Sequence, residues 1–378
     1  MPKQQVLQVC HSYDPPYLDV ARQYNALFDR AHWHITTVFL TGASDPALAG
    51  QIGSDVVIFL EHESRALRGF KRAQIRQLRE LAAANRFAFA IAHRYKALYI
   101  CTHIPGLFTF GVHHRPGGYK RWTRRFYVRG RRESLALLGV SNAVRDNMRA
   151  SLPRLPPEQI ETLYNHIDPE AQRAELLSRQ EAREQLGLPR ETYLFANVGR
   201  LHPDKDQATL IRAFARSAAK LGDAKLVIVG KGRLEQNLKA LAVELQVSDR
   251  VVFTGPVPDA RRYFAAFDSF VLSSDHEPFG MVLLEAMAAR LPIAATDCGG
   301  AGEVVGDAGL VFELGNVEQL SQRFCELHAL DTAAIAAMQA RLEERLQRLF
   351  TDAAVRSAFW SLPVARELAT ERGMVSGV

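Results

Sequence analysis

The sequence predicts an α/β protein of two domains, each a parallel sheet covered by helices. Three observations carry this. The chain has 378 residues, enough for two separate cores. Short apolar runs of strand type alternate with segments of helical period along its whole length, the pattern of parallel sheets. That rhythm pauses once, at Asn165 to Pro169, where Asp-Pro ends a strand pattern, and then restarts. The expected domains are 1–168, joined by a terminal helix at 353–378, and 169–352.

In the first half, Gln5 to His11, Trp33 to Leu40, Asp55 to Leu60, Phe87 to His93, Leu107 to His113 and Leu135 to Ser141 read as strands. Asp19 to Phe28 reads as a helix and Ser64 to Asn85 as a long basic one. In the second half the strand candidates are Thr192 to Val198, Lys225 to Val229, Val251 to Phe253, Ser269 to Leu272 and Pro292 to Thr296. A last helix is expected from Asp352 to Arg372. In such sheets ligands sit at the carboxyl ends of strands, where His93, His113 and Ser141 fall.

Hydrophobic residues make up 47% of the chain and charged residues 23%, ordinary values for a globular protein. No apolar run approaches the roughly 20 residues that span a bilayer. Cys10, Cys101, Cys298 and Cys325 are scattered, with no zinc spacing, which fits a reduced cytosolic compartment. Residues 1–168 hold 23 Lys+Arg against 13 Asp+Glu, and the remainder 24 against 28. The basic half predicts an anionic partner.

The segment Ser273 to Pro292 organises the rest. An apolar strand leads through a short loop into a helical pattern at Phe279, with Met281, Leu284, Glu285 and Ala288 at helix spacing. A helix start beside Gly280 offers backbone N–H groups and a dipole to a phosphate. Glu277 in the loop and Glu285 on the helix frame that position. A second site signal is Val198-Gly199-Arg200-Leu201-His202-Pro203-Asp204-Lys205-Asp206, after a strand and before a helix. Arg200 supplies a planar fork and Lys205 a compact charge, suited to a departing diphosphate.

Glu277-Pro278-Phe279-Gly280 followed by Leu284-Glu285-Ala286-Met287-Ala288 resembles the E-x7-E signature of glycosyltransferase family 4, retaining nucleotide-sugar enzymes of the GT-B fold. The Gly199–Lys205 segment is similar to that family's diphosphate grip. Val229-Gly230-Lys231-Gly232, Phe253-Thr254-Gly255-Pro256-Val257 and Gly299-Gly300-Ala301-Gly302-Glu303 are further family-like features in the expected order. The resemblance implies two Rossmann-like domains facing across a cleft, the terminal helix crossing back to the first. It implies a donor held mostly by the second domain, without a divalent ion, so Asp204-Lys205-Asp206 is not read as a metal motif. Arg200 and Lys205 would stabilise the leaving diphosphate. Glu277, with Phe279, Gly280 and Met281 and alongside Val282, would orient the sugar and its phosphate, Glu285 would hold the ribose, and Gly255 and Val257 would meet the base. His113, with His114 as the alternative, would face the sugar. The family's glycine loop after the first strand is replaced here by Tyr13-Asp14-Pro15-Pro16-Tyr17-Leu18-Asp19.

Two runs stand out in the basic half. Arg65 to Arg79 interleaves six cations with Leu67, Phe70, Ile75 and Leu78, and Lys120 to Glu133 sets seven cations among Trp122, Phe126 and Tyr127. Cation-plus-aromatic helices lie on anionic membranes or grip RNA; the membrane is the partner expected here, and no nucleic acid. The organisation resembles lipopolysaccharide-core glycosyltransferases. The expected activity is transfer of a hexose from a nucleoside-diphosphate sugar, with UDP the expected base, to a lipid-linked or lipopolysaccharide-core acceptor at the inner membrane face. The alternatives are a nucleotide-sugar epimerase of similar architecture and a non-catalytic, membrane-docked nucleotide-sugar binder.

Overall fold

The computed structural model describes residues 3–14 and 17–374. Within it the chain divides into two compact units, Met1–Asn165 with Asp352–Val378, and His166–Thr351. Each is built on one all-parallel sheet, and the α/β, Rossmann-like expectation holds for both.

In the first unit the strands are β1 (Gln4–Cys10), β2 (Trp33–Thr41), β3 (Val56–His62), β4 (Phe87–His93), β5 (Thr109–His113), β6 (Leu135–Gly139) and β7 (Ile160–Thr162), in the order β3-β2-β1-β4-β5-β6-β7. Strand order reverses between β1 and β4, which pair directly. The inner strands read as apolar runs because helices cover both faces. Phe28, Trp33, Phe89 and Phe110 fill one layer, and the terminal segment completes it. Phe359 lies 5.2 Å from Phe110 and Trp360 5.4 Å from Trp33, ring centre to ring centre, while Trp360 Nε1 donates to Leu27 O at 3.1 Å.

Two helical expectations are corrected. The expected helix from Ser64 to Asn85 is a helix only over Arg72–Ala84; Lys71 before it has φ 52°, a left-handed backbone that stops the helical ladder. The cationic run Arg65 to Arg79 is therefore a turn-rich loop followed by a helix. The terminal helix is two, Asp352–Ser361 and Pro363–Glu371, because Pro363 cannot donate to the preceding turn. Residues 375–378, included in the expected terminal helix, lie outside the described residues.

The second unit holds β8 (Leu194–Val198), β9 (Lys225–Val229), β10 (Val251–Gly255), β11 (Ser269–Leu272), β12 (Ile293–Thr296) and β13 (Leu310–Phe312), in the order β10-β9-β8-β11-β12-β13. Its order reverses between the paired strands β8 and β11. The short strands β7 and β13 were not expected from the sequence. Arg183, 1% exposed, ties the base of this sheet. It donates to the carbonyls of Ala266, Pro189, Arg190 and Thr192 and pairs with Asp268 at 2.8 Å, so its charge is compensated where burial would otherwise make it costly.

Candidate active site

In an open parallel sheet the crevice forms where strand order reverses, beyond the carboxyl ends of the two strands concerned. In the second unit those strands are β8 and β11. β8 runs into Gly199-Arg200, and β11 runs into the Ser273–Gly280 loop. The two strongest sequence signals thus emerge side by side from one edge of the sheet.

The loops are locked to each other. Lys205 Nζ and Glu277 Oε2 form an ion pair at 2.5 Å, with side chains 18% and 10% exposed. Ser274 Oγ donates to the same carboxylate oxygen at 3.2 Å, and Ser273 Oγ to Lys205 O at 3.0 Å. The N–H groups of Asp275 and His276 both donate to Asp204 O. Sequence reasoning gave Lys205 and Glu277 separate targets; the structure brings them together. Arg200 differs, being 71% exposed with Nη2 3.2 Å from Asp204 Oδ2. Asp204 also accepts from His202 Nδ1, and Asp206 caps the helix Gln207–Ser217 through Thr209 N. Both acids of Asp204-Lys205-Asp206 are thus engaged by protein groups.

The glycine segments are needed for close approach of backbone to backbone. A Cβ on Gly230, where φ is 139°, would stand 1.9 Å from Gly199 O, and one on Gly232 2.2 Å from Leu201 O. Gly230 N donates to Gly255 O at 2.9 Å, so the β8, β9 and β10 loops stack in series. On the other side a Cβ on Gly299 would lie 2.5 Å from Glu277 O, and Gly300 N donates to that carbonyl at 2.8 Å. Family-like glycines therefore hold five strand-end loops at a fixed spacing. Val257, half-buried, follows the β10 turn.

The helix after Glu277 spans Met281–Ala288, two residues later than the sequence pattern suggested, because Gly280 at φ 101° turns the chain into it. Phe279 is buried and packs 5.8 Å from Phe350, which seats the turn. Met281 and Val282 open the first turn, at the positive end of the helix dipole. Glu285 is half-buried and lies about 6 Å along the axis from Met281. Arg173 Nε donates to Ala288 O at 3.0 Å, giving the carbonyl end of the helix a cation.

The first unit has its own cluster at the same kind of edge. His93 ends β4 and His113 ends β5. His113 is 4% exposed, with Nε2 2.8 Å from Tyr119 Oη. Burial first, then the nearby Arg124 and Arg94 cations, push its pKa down to about 3, so it is neutral at physiological pH. His114, half-buried, faces His93 across 3.2 Å and is also held neutral, by burial first and His93 next. Sequence reasoning missed Arg94. It has φ 70°, and its guanidinium lies 4.5 Å from the Tyr17 ring centre; a positively charged residue right after a β-strand was the available signal. Leu18 packs on a cluster of Cys10, Ala21, Phe39 and Ile52, and Asp19 pairs with Arg22 at 3.4 Å. Of the segment replacing the glycine loop, Pro15 and Pro16 lie outside the described residues.

Residues 178–345 match the family model "Glycosyl transferases group 1", and residues 20–171 match "Glycosyltransferase Family 4". The lipopolysaccharide core biosynthesis glycosyltransferase LpsE of Rhizobium meliloti is 34% identical over 48% of this chain and 52% of its own. The chain spans about half the length of the curated relatives it matches. Among solved structures, a glycosyltransferase from Rickettsia africae superposes with a TM-score of 0.83 at 16% identity, covering 97% of this chain and 99% of that one. HepE of Anabaena, solved in complex with UDP and glucose, gives 0.75 at 19% identity, over 97% of this chain and all (100%) of that one. At such identities the likeness shows the fold alone. With both family domains matched in this order and the fold shared end to end, the chain belongs to glycosyltransferase family 4 and has its GT-B fold.

Proposed function

We propose that this chain is a retaining glycosyltransferase that moves a hexose from a UDP-linked sugar to a lipid-linked or lipopolysaccharide-core saccharide. The observation that carries the donor half is the joining of the Arg200–Lys205 and Glu277–Gly280 loops at the β8/β11 reversal. A diphosphate entering there meets the Lys205 ammonium, the mobile-length Arg200 side chain and the positive end of the Met281–Ala288 helix. Charge that develops on the leaving diphosphate is stabilised by groups already in place, the largest contribution in reactions of this kind. Lys205 then serves two anions, the phosphate and Glu277. Glu277 is freed in part to accept from sugar hydroxyls, and Glu285 from those of the ribose. Neutral His113 acts as a hydrogen-bonding group toward the donor sugar, the role the family resemblance gives it. No metal is assigned, and a donor phosphate oxygen takes the acceptor proton as the acceptor attacks from the leaving-group side.

The acceptor half is supported by the LpsE likeness and by the surface of the first unit. Phe70, Trp122 and Phe126 are each 73% exposed, amid arginines. Among the described residues no helix is long and apolar enough to cross a membrane. Peripheral docking to the inner face of the cytoplasmic membrane, through Arg65–Arg79 and Lys120–Arg132, fits these features.

The test is incubation with a panel of nucleoside-diphosphate sugars, with and without extracted lipopolysaccharide core or lipid-linked saccharide. Acceptor-dependent release of free UDP with retention of anomeric configuration supports the reading. Conversion of the donor sugar without diphosphate release would establish an epimerase, and binding without turnover on any acceptor a non-catalytic binder.

A further inference from the structure

The helix Arg94–Cys101 in the first unit presents Tyr95 and Tyr99 four residues apart, on one face, with ring centres 6.3 Å apart. A cation stands over each ring. Arg124 Cζ is 4.4 Å from the centre of Tyr95, and Lys71 Nζ 4.6 Å from that of Tyr99. Lys96 follows Tyr95 directly and precedes Tyr99 by one turn. Their places are fixed from outside the helix. Arg124 Nη1 donates to Gly118 O at 2.8 Å and Lys71 Nζ to Gly69 O at 2.7 Å. Tyr127 stacks 4.7 Å from Tyr99 and shares a 2.7 Å hydrogen bond with Thr102, which holds the Trp122–Arg129 helix against this one.

What this cluster lacks is a counter-ion. Lys71, Lys96 and Arg124 are half-buried, and among the described residues none forms an ion pair. Elsewhere the half-buried Arg149, Arg173 and Lys205 each meet a carboxylate, while the half-buried Arg250 and Arg356 donate to backbone carbonyls away from other cations. The ammonium of Lys71 is pushed below its usual value by burial, then by Lys96 and Arg124; that of Lys96 by burial, then by Arg68 and Arg124. Like charges held together on aromatic faces gain only partial relief from cation–π contact. A multiply charged oxyanion relieves the rest, accepting from several donors at once.

We propose that Lys71, Lys96 and Arg124, with Arg68 beside them, bind a phosphoryl group carried by a saccharide. This rests on the proposed transferase reading for the saccharide, not for the phosphate. The experiment is calorimetric titration of the full chain with glucose 6-phosphate, glucose, inorganic phosphate and UDP. Glucose 6-phosphate should bind more tightly than inorganic phosphate, glucose should give no heat, and raised salt should weaken both anions. Lys96→Ala should weaken glucose 6-phosphate by about tenfold or more, and Lys71→Ala/Lys96→Ala should abolish it. UDP affinity should be unchanged in both variants, which also reports that they are folded. Unaltered glucose 6-phosphate affinity in the double variant would overturn the site. Equal affinity for inorganic phosphate and glucose 6-phosphate would overturn its saccharide part. Absence of UDP binding to the wild type would instead count against the donor reading and leave the phosphate result standing.

Discussion

Lys205 and Glu277 are 72 positions apart in the sequence and 2.5 Å apart in the fold, joining the loops that leave the two strands at the reversal of the second sheet. The pair is mostly buried, so removing one member strands the other. Lys205→Met and Glu277→Gln should each destabilise the second unit, and the double variant should be more stable than either single, since an unpaired buried charge costs more than a missing pair. Activity should not follow stability. Lys205→Met, alone or in the double variant, should raise the barrier to transfer by about 2–4 kcal/mol. Urea unfolding beside kcat measurements checks both; full activity in Lys205→Met would remove this residue from the mechanism.

Gly230 has no room for a methyl group. Gly230→Ala would bring a Cβ to 1.9 Å from Gly199 O at a φ of 139°. A loss of about 2–4 kcal/mol in unfolding free energy is expected, with loss of UDP binding because the Arg200 loop moves. Gly315, with φ 70° but open space around it, should lose only the backbone strain on substitution by alanine.

The base of the same sheet offers a contrast between two arginines on one carboxylate. Arg183 is 1% exposed and Arg179 46% exposed, and both pair with Asp268. Arg183→Ala should cost about 3–5 kcal/mol by stranding Asp268 and several carbonyls. Arg179→Ala should cost under about 1 kcal/mol, as for an exposed pair. Chemical denaturation of both variants decides it.

The first unit should be acid-labile. His93 and His113 both titrate near pH 3 in the fold, chiefly because they are buried, against an ordinary value of 6.5. Between those values the unfolded chain binds more protons than the native one, so stability is full above pH 6.5 and falls as pH drops toward 3. Each histidine contributes a slope of up to about 1.4 kcal/mol per pH unit. Unfolding followed by Trp33 and Trp360 fluorescence from pH 7.5 to 4.5 should show this, and His93→Gln should flatten it.

Trp122→Ala/Phe126→Ala should reduce partition onto anionic vesicles, and so should reversal of Arg125 and Arg129, without change in activity on soluble acceptors. Sedimentation with vesicles of anionic and neutral lipid is the measurement; equal partition of variant and wild type would end the docking proposal.

Much of this was legible in the sequence, for identifiable reasons. Phe87–His93, Lys225–Val229 and Ser269–Leu272 were read to the residue because buried parallel strands are unbroken apolar runs. Ile160–Thr162 and Leu310–Phe312 were missed because three residues carry no period. The helix over Ser64 to Asn85 was overextended because its amphipathic spacing persists through Lys71, whose left-handed backbone no spacing reveals. The terminal helix was expected to be continuous although Pro363 carried the signal for a break. At the site, the residue types and their loops could be read, but not the pairing of Lys205 with Glu277, which depends on strand order. Nor could the glycines' role be read, since close backbone approach appears only when β9 and β12 lie beside β8 and β11.

The terminal segment has a consequence for biosynthesis. Phe359 and Trp360 finish a core begun by Phe28 and Trp33 more than three hundred residues earlier. On the ribosome, the second unit is contiguous and can close as soon as it emerges, whereas the first must wait, with its apolar sheet incompletely covered, until the segment from Asp352 onward has also been made. A nonsense codon near position 350 would therefore spare the part of the chain just made and cripple the part made first.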